Sequence, residues 1–168
     1  MAITLNGNGT VTGISTGGLP SGSMALPSGS VIQTVQGEVS STVTINSTTD
    51  TTVCSASITP ASTSNKILVT VSAVPIVTGG SGQDLFKSKI LRDSTVLQMT
   101  NDFWARNSSS DMKSNVCTFV LLDSPSSTSS ITYYFKAARR SADDDLSFLV
   151  VSNEWVKCHT ITLQEIQG

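Results

Sequence analysis

Between Val31 and Ile166, apolar and polar side chains alternate with a period of two, in short runs that each close on a cluster of Ser, Thr, Pro, Gly or Asp. Successive side chains of a strand face opposite sides, so this pattern describes strands with one face in a core and the other in water. It predicts strands near residues 31–38, 42–45, 52–58, 66–75, 85–92, 96–99, 115–122, 130–138, 146–151 and 155–166. The clearest is the run from Lys66 to Val74, where Ile67, Val69, Val71 and Ala73 share one face and Thr70 and Ser72 the other. In the last run Trp155, Lys157, His159, Ile161 and Leu163 alternate with Val156, Cys158, Thr160, Thr162 and Gln164.

The connections have turn chemistry. Thr59-Pro60-Ala61-Ser62-Thr63-Ser64-Asn65 links two strands, Asp93-Ser94 marks a tight hairpin, and residues 77–82 read as a flexible connector. No stretch of about ten residues keeps a 3.6-residue period with good helix formers. The expected fold class is therefore all-β, a two-sheet β-sandwich that is jelly-roll-like, with an immunoglobulin-like Greek key as the alternative topology. Cys54, Trp104 and Cys117 follow the immunoglobulin order, yet Trp104 sits in Asn101-Asp102-Phe103-Trp104-Ala105-Arg106, which reads as loop.

Residues 1–30 break the pattern. They hold no charged side chain and carry a duplicated turn cassette, Leu19-Pro20-Ser21-Gly22-Ser23 and Leu26-Pro27-Ser28-Gly29-Ser30. The apolar residues Ile3, Leu5, Val11, Ile14, Leu19 and Leu26 are too sparse to offset the roughly 1–2 kcal/mol of backbone entropy lost per ordered residue. The expected organisation is an extended attachment arm over 1–30, whose order a neighbouring subunit lends by β-pairing, and a sandwich head over 31–168.

Composition agrees with a β-rich surface protein. Of 168 residues 38% are hydrophobic and only 13% charged, against about 25% charged in ordinary soluble domains, with Ser and Thr filling the difference. The net charge is −2 and no Lys or Arg cluster exceeds Arg139-Arg140, so no phosphate-binding face is visible and no nucleic acid is expected as partner. No run of about eighteen apolar residues and no basic-then-apolar leader occurs, so neither a membrane partner nor a secretion signal is expected.

Catalytic chemistry finds little support. His159 follows Cys158 directly, so on a strand the two side chains project to opposite faces and form no dyad, and Gly-x-Ser-x-Gly is absent. A structural role is expected for His159. Cys54, Cys117 and Cys158 are scattered and read as small buried residues, which leaves no closed zinc set. Asp143-Asp144-Asp145 offers oxygen ligands for a cation, but reads as a solvated loop balancing Arg139 and Arg140. No enzyme activity, catalytic residue, metal or cofactor is expected. Asn101, Phe103, Trp104 and Arg106 form the one aromatic, cationic and amide cluster, a candidate interface or receptor loop.

Several segments together resemble the β-sandwich structural proteins of tailed bacteriophages, particularly marine and cyanobacterial ones. They are Ala2 to Gly7, Leu26 to Gln33, Ser57-Ile58-Thr59-Pro60 through Ser64 to Val69, Leu91 to Thr95, Leu122 to Pro125 and Ile161 to Ile166. The resemblance implies a non-enzymatic virion protein, typically a homotrimer, whose partners are other virion proteins such as the major capsid or tail proteins. A short arm before a compact head fits a capsid decoration or cement protein. The alternative is a tail or head fibre knob that binds a host-surface glycan through loops such as 77–84 and 101–111, and a third class is a carbohydrate-binding module.

Overall fold

The structure is a computed structural model that describes residues 4–5, 11–12, 26–78, 83–106, 116–140, 145–148 and 159–168, and among them all regular structure is β. Eight strands build the head: β3 (Val31–Glu38), β5 (Thr51–Ile58), β6 (Lys66–Ala73), β8 (Gln83–Arg92), β9 (Thr95–Arg106), β10 (Cys117–Asp123), β11 (Ile131–Arg139) and β13 (Thr160–Ile166). Three short strands, β4 (Val43–Ile45), β7 (Ile76–Thr78) and β12 (Asp145–Phe148), form a small sheet in the order β4-β12-β7. Two two-residue strands, β1 (Thr4–Leu5) and β2 (Val11–Thr12), pair with each other in the arm.

Pairing among the eight is nested. The first strand pairs with the last, the second with the seventh, the third with the sixth and the fourth with the fifth, all antiparallel. That is one long ribbon with the Asp93-Ser94 hairpin at its tip. Rolling the ribbon up adds two further ladders, β13 with β6 and β11 with β8. The result is two four-stranded sheets, β10-β6-β13-β3 and β5-β11-β8-β9, a jelly-roll sandwich as the alternation predicts.

The core lies between the sheets. Ile67, Val69, Val71 and Ala73 of β6 are fully buried, as are Ile161 and Leu163 of β13, and they face Tyr133, Phe135 and Ala137 of β11. Phe119 and Phe135 come from opposite sheets, and their tilted rings meet with centroids 5.5 Å apart. On one side of the sandwich the edges β3 and β5 close on each other at Gly37, where a Cβ would stand 1.9 Å from the Ser55 carbonyl oxygen. Only glycine fits there.

Three expectations need correction. Residues 101–106 form the end of β9 and pair with β8, with Phe103 opposite Phe86, Trp104 opposite Leu85 and Arg106 opposite Gln83. Asn101 and Asp102 suggested a loop because both favour turns, but the register shift between Phe86 and Ser88 absorbs the irregularity and the ladder continues. Val77 and Thr78, placed in a flexible connector, belong to β7. Residues 74–75, placed in a strand, lie beyond β6. The arm residues Ile3, Ile14 and Leu19, and Asp143, Asp144 and Cys158, lie outside the described residues.

Candidate functional site

Nested pairing gives the head two unlike ends. At one end lie the arm root at residues 26–30, the connection 59–65, the hairpin Asp93-Ser94, the connection 124–130 and residues 167–168. At the other lie residues 39–50, 74–78, 140, 145–148 and 159, and with them β4, β7 and β12. Each strand of eight residues separates the ends by about 26 Å.

The arm root is built around a turn. Ser30 N–H donates to the Pro27 carbonyl at 3.1 Å, and Gly29 has φ +88°, the geometry of a type II turn whose third position requires glycine. The second copy of the Leu-Pro-Ser-Gly-Ser cassette is thus a turn that delivers the arm to β3. It is held by a strand-like exchange, Gly29 N–H to Gln167 O and Gln167 N–H to Ser30 O, both 2.8 Å. Leu26, where the arm leaves, is 45% exposed.

Beneath this turn sits Glu165, fully buried. Its Oε1 accepts the Ala61 N–H at 2.7 Å and Asn65 Nδ2 at 2.6 Å, and its Oε2 accepts Gln33 Nε2 at 2.6 Å. Asn65 in turn accepts the Gly168 N–H at 3.1 Å, and Gln33 Nε2 also donates to Thr59 O at 2.9 Å. Burial by itself pushes the carboxyl pKa up, but the bonds from Asn65 and Gln33 and the backbone bonds at Ala61 and Ser62 outweigh it and hold Glu165 below the usual carboxylate range. One carboxylate therefore joins β3, β13 and the connection 59–65. Glu165 falls on the same parity as His159, Ile161 and Leu163, and that parity was the sequence signal that it lies inside.

A second brace stands at the same end. Arg92 Nη1 donates to both Asp123 oxygens at 2.9 and 2.8 Å, and Tyr133 Oη donates to Asp123 Oδ2 at 2.7 Å. Arg92 and Tyr133 belong to one sheet and Asp123 to the other, so the cluster ties the layers. Burial, together with the bond to Asp123 and its charge, pushes the Tyr133 phenol well above its ordinary pKa.

At the far end the sandwich is closed by buried polar side chains. Arg139 is buried, and its Nε donates to the Ile45 carbonyl at 2.6 Å and its Nη2 to Asn46 Oδ1 at 3.2 Å. His159 is buried, and its Nδ1 accepts the Val74 N–H at 3.1 Å, as a structural role requires. Asp145 opens β12 opposite Thr78, and β9 carries Asn101, Phe103, Trp104 and Arg106 out to this end.

The outer faces differ. On the β11–β8 ladder Lys136 lies opposite Lys89, a repulsion relieved by Asp50 at 2.6 Å from Lys89 and by the Tyr134 ring, 5.5 Å from Lys136 Nζ. The outward positions of the other sheet's inner strands are Lys66, Leu68, Thr70 and Ser72 on β6 and Thr160, Thr162, Gln164 and Ile166 on β13, with Lys66 the one charge among them. Cys54 and Cys117 are buried free thiols whose pKa values burial pushes up to about 12 and about 11, so neither is a poised nucleophile. Among the described residues no group of three His, Cys, Asp or Glu side chains is placed to hold a metal ion.

No family model matches the chain, and no curated protein sequence matches it. Among solved structures the chain is similar to the infectious bursal disease virus VP2 subviral particle, at 10% identity with a TM-score of 0.37 over 80% of this chain and 37% of that one. A structure of the Gx strain of the same virus aligns at 11% identity with a TM-score of 0.34, over 84% of this chain and 36% of that one. The chain spans little more than a third of the length of either. Both neighbours are virus proteins, and the class of fold the coordinates define is the jelly-roll β-sandwich.

Proposed function

We propose that the protein is a non-enzymatic structural component of a virion, of the tailed-phage type, docked through residues 1–25 and displaying the opposite end of its sandwich. The observation that carries this reading is the fastening of the arm root: residues 26–30 lead into β3 at one end of the sandwich, where Gly29 and Ser30 exchange bonds with Gln167 above the buried Glu165 cluster. Jelly rolls serve many functions, so the fold alone does not decide; a braced arm root is what a firm attachment needs. Among the described residues of the arm, Thr4–Leu5 pairs with Val11–Thr12, a ribbon too short to be stable alone, and an added strand from a capsid or tail neighbour would complete it.

Capsid decoration is the preferred form, with arms from three copies multiplying weak contacts by avidity. Deleting residues 1–25 should leave a folded head that no longer binds particles. If the truncated head still saturates them, attachment by the arm is wrong. A fibre knob that binds a host-surface glycan is the second reading, favoured by the delivery of Phe103 and Trp104 to the far end on β9. Densitometry of purified virions separates the two, since decoration requires hundreds of copies and a fibre tens.

A further inference from the structure

The hold on the arm root is narrow. Among the described residues, the backbone bonds between residues 26–30 and the rest of the head all run to Gln167, whose carbonyl accepts the Gly29 N–H and whose N–H donates to Ser30 O. Gln167 stands between Glu165 and Gly168, and both of these are tied to the connection 59–65. Glu165 accepts the Ala61 N–H and the Asn65 amide, while the Gly168 N–H donates to Asn65 Oδ1. Gly168 lies so close to the connection that a Cβ on it would stand 2.1 Å from the Ser64 carbonyl oxygen. A register shift sets this group apart from the rest of the ladder: Glu165 pairs with Gln33 but Ile166 with Val31, which leaves Ile32 as a bulge at the foot of the root.

Neutral donors hold the charge of Glu165. β3 as far as Gly37, the connection 59–65, β5, residues 166–168 and the rest of β13 carry no charged side chain, and β11 carries none before Lys136. Lys66 of β6 is exposed and lies opposite Ile166. The other charged residues of this end are engaged elsewhere, Arg92 with Asp123 and Asp93 with the Thr132 N–H. Both carboxylate oxygens face N–H groups, Oε1 those of Ala61 and Asn65 and Oε2 that of Gln33. A proton on either oxygen would meet a donor where it needs an acceptor, so protonation must push away Gln33 or the connection 59–65.

We infer that the arm root, the connection 59–65 and residues 165–168 form one clasp that opens as a unit while the two sheets stay closed, and that the charge on Glu165 keeps it shut. A shut clasp aims the arm; an open one lets it swing about the bulge at Ile32. Because the folded head holds the Glu165 carboxyl below its ordinary range, the clasp is shut above about pH 4.3 and loosens as pH falls through the folded value. The inference deepens the reading of an attaching arm, and its use rests on that reading, but the clasp itself is a property of the free chain.

Amide hydrogen exchange of the full chain, followed by NMR, tests the clasp. The amides of Gly29, Ala61, Asn65, Gln167 and Gly168 should share one protection factor, lower than that of Val69 and Val71 in the core and nearly unaffected by about 1 M urea. Glu165→Gln turns one acceptor oxygen into a donor, and Gly168→Ala pries the connection away without changing a titratable side chain; each should lower the shared factor on the order of tenfold. Tyr133→Phe, outside the clasp, should lower core protection and leave the shared factor unchanged. In the parent the shared factor, corrected for intrinsic exchange, should fall below about pH 4.3, and in Glu165→Gln it should not. The inference is overturned if the five amides respond differently, if Tyr133→Phe lowers the shared factor as much as the core factor, or if acid acts equally on Glu165→Gln. Should Glu165→Gln fail to fold, an unchanged shared factor in Gly168→Ala, or in the parent under acid, overturns it instead. A clasp refuted in this way leaves attachment standing wherever deletion of residues 1–25 still abolishes particle binding.

Discussion

Gln33 Nε2 donates to the buried carboxylate of Glu165 at 2.6 Å across 132 positions of sequence. Gln33 lies just inside the strand that receives the arm and Glu165 near the end of the strand beside it, so this bond and its companions from Asn65 and Ala61 fix the arm's point of departure. Glu165→Ala strands the buried Asn65 amide, which costs roughly 1–3 kcal/mol when unmet, and takes the acceptor from the part-buried Ala61 and Gln33 bonds. A loss of about 3 kcal/mol is expected in urea unfolding, with a fall in Tm of roughly 6–12 °C for a chain of this size.

The same carboxylate makes stability depend on acid. Its pKa in the folded head is below that of the unfolded chain, near 4.3 for a free Glu. The unfolded state therefore binds the proton more readily. Glu165 contributes fully above about pH 4.3 and loses its contribution as pH falls through the folded value. Urea midpoints between pH 2 and 7 should decline more steeply below this point for the parent than for Glu165→Gln, and parallel curves would show that other carboxylates carry the effect.

Gly37→Ala tests the closed edge. The added methyl would stand 1.9 Å from the Ser55 carbonyl oxygen, an immovable backbone atom, so β3 and β5 must separate. A cost of about 3 kcal/mol is expected, at the upper end for overpacking. Gly29→Ala meets no atom within 4 Å, but its φ of +88° makes the substitution strained for a different reason, the left-handed backbone. Chemical denaturation of both variants, with exchange rates at Gln167 read for the second, separates a packing defect from a turn defect.

Tyr133→Phe removes one of the bonds to Asp123 and leaves the Arg92 pair in place. The expected loss is about 1 kcal/mol, the ordinary net value of one hydrogen bond. Arg92→Ala should cost more, because it leaves a mostly buried carboxylate without its cation. Equal losses for the two would show that the ion pair contributes nothing beyond the phenol.

Cys54 and Cys117 should resist alkylation at pH 8 in the folded protein, since burial raises their pKa values to about 12 and about 11. Peptide mapping after iodoacetamide treatment, with and without urea, should find both modified only on unfolding. Modification of either under native conditions would mean that its strand opens locally.

Much of the head was legible in the sequence because a period of two leaves few alternatives. The strands named over 66–75 and 155–166 contain β6 and β13, and the apolar sets Ile67, Val69, Val71, Ala73 and Ile161, Leu163 lie in the core. Strand number and spacing suggested a jelly roll with an immunoglobulin-like Greek key as the alternative, and the nested ladders decide for the jelly roll. What escaped was polar. Glu165 was hidden because a carboxylate on a core face has no apolar signature, and only its three partners, dispersed over positions 33, 61 and 65, explain it. Residues 101–106 misled because Asn101 and Asp102 favour turns and Phe103-Trp104 breaks the alternation, while a register shift in the ladder tolerates both.

Nested pairing also has a temporal side. β3 can complete its ladder only against β13, the element made after all the other head strands, and the exchange between residues 29–30 and Gln167 forms with it. Contacts of such separation are slow to close. An unfinished head thus has no fixed arm root, so order of synthesis becomes a checkpoint: only a fully rolled sandwich presents its arm in a defined direction.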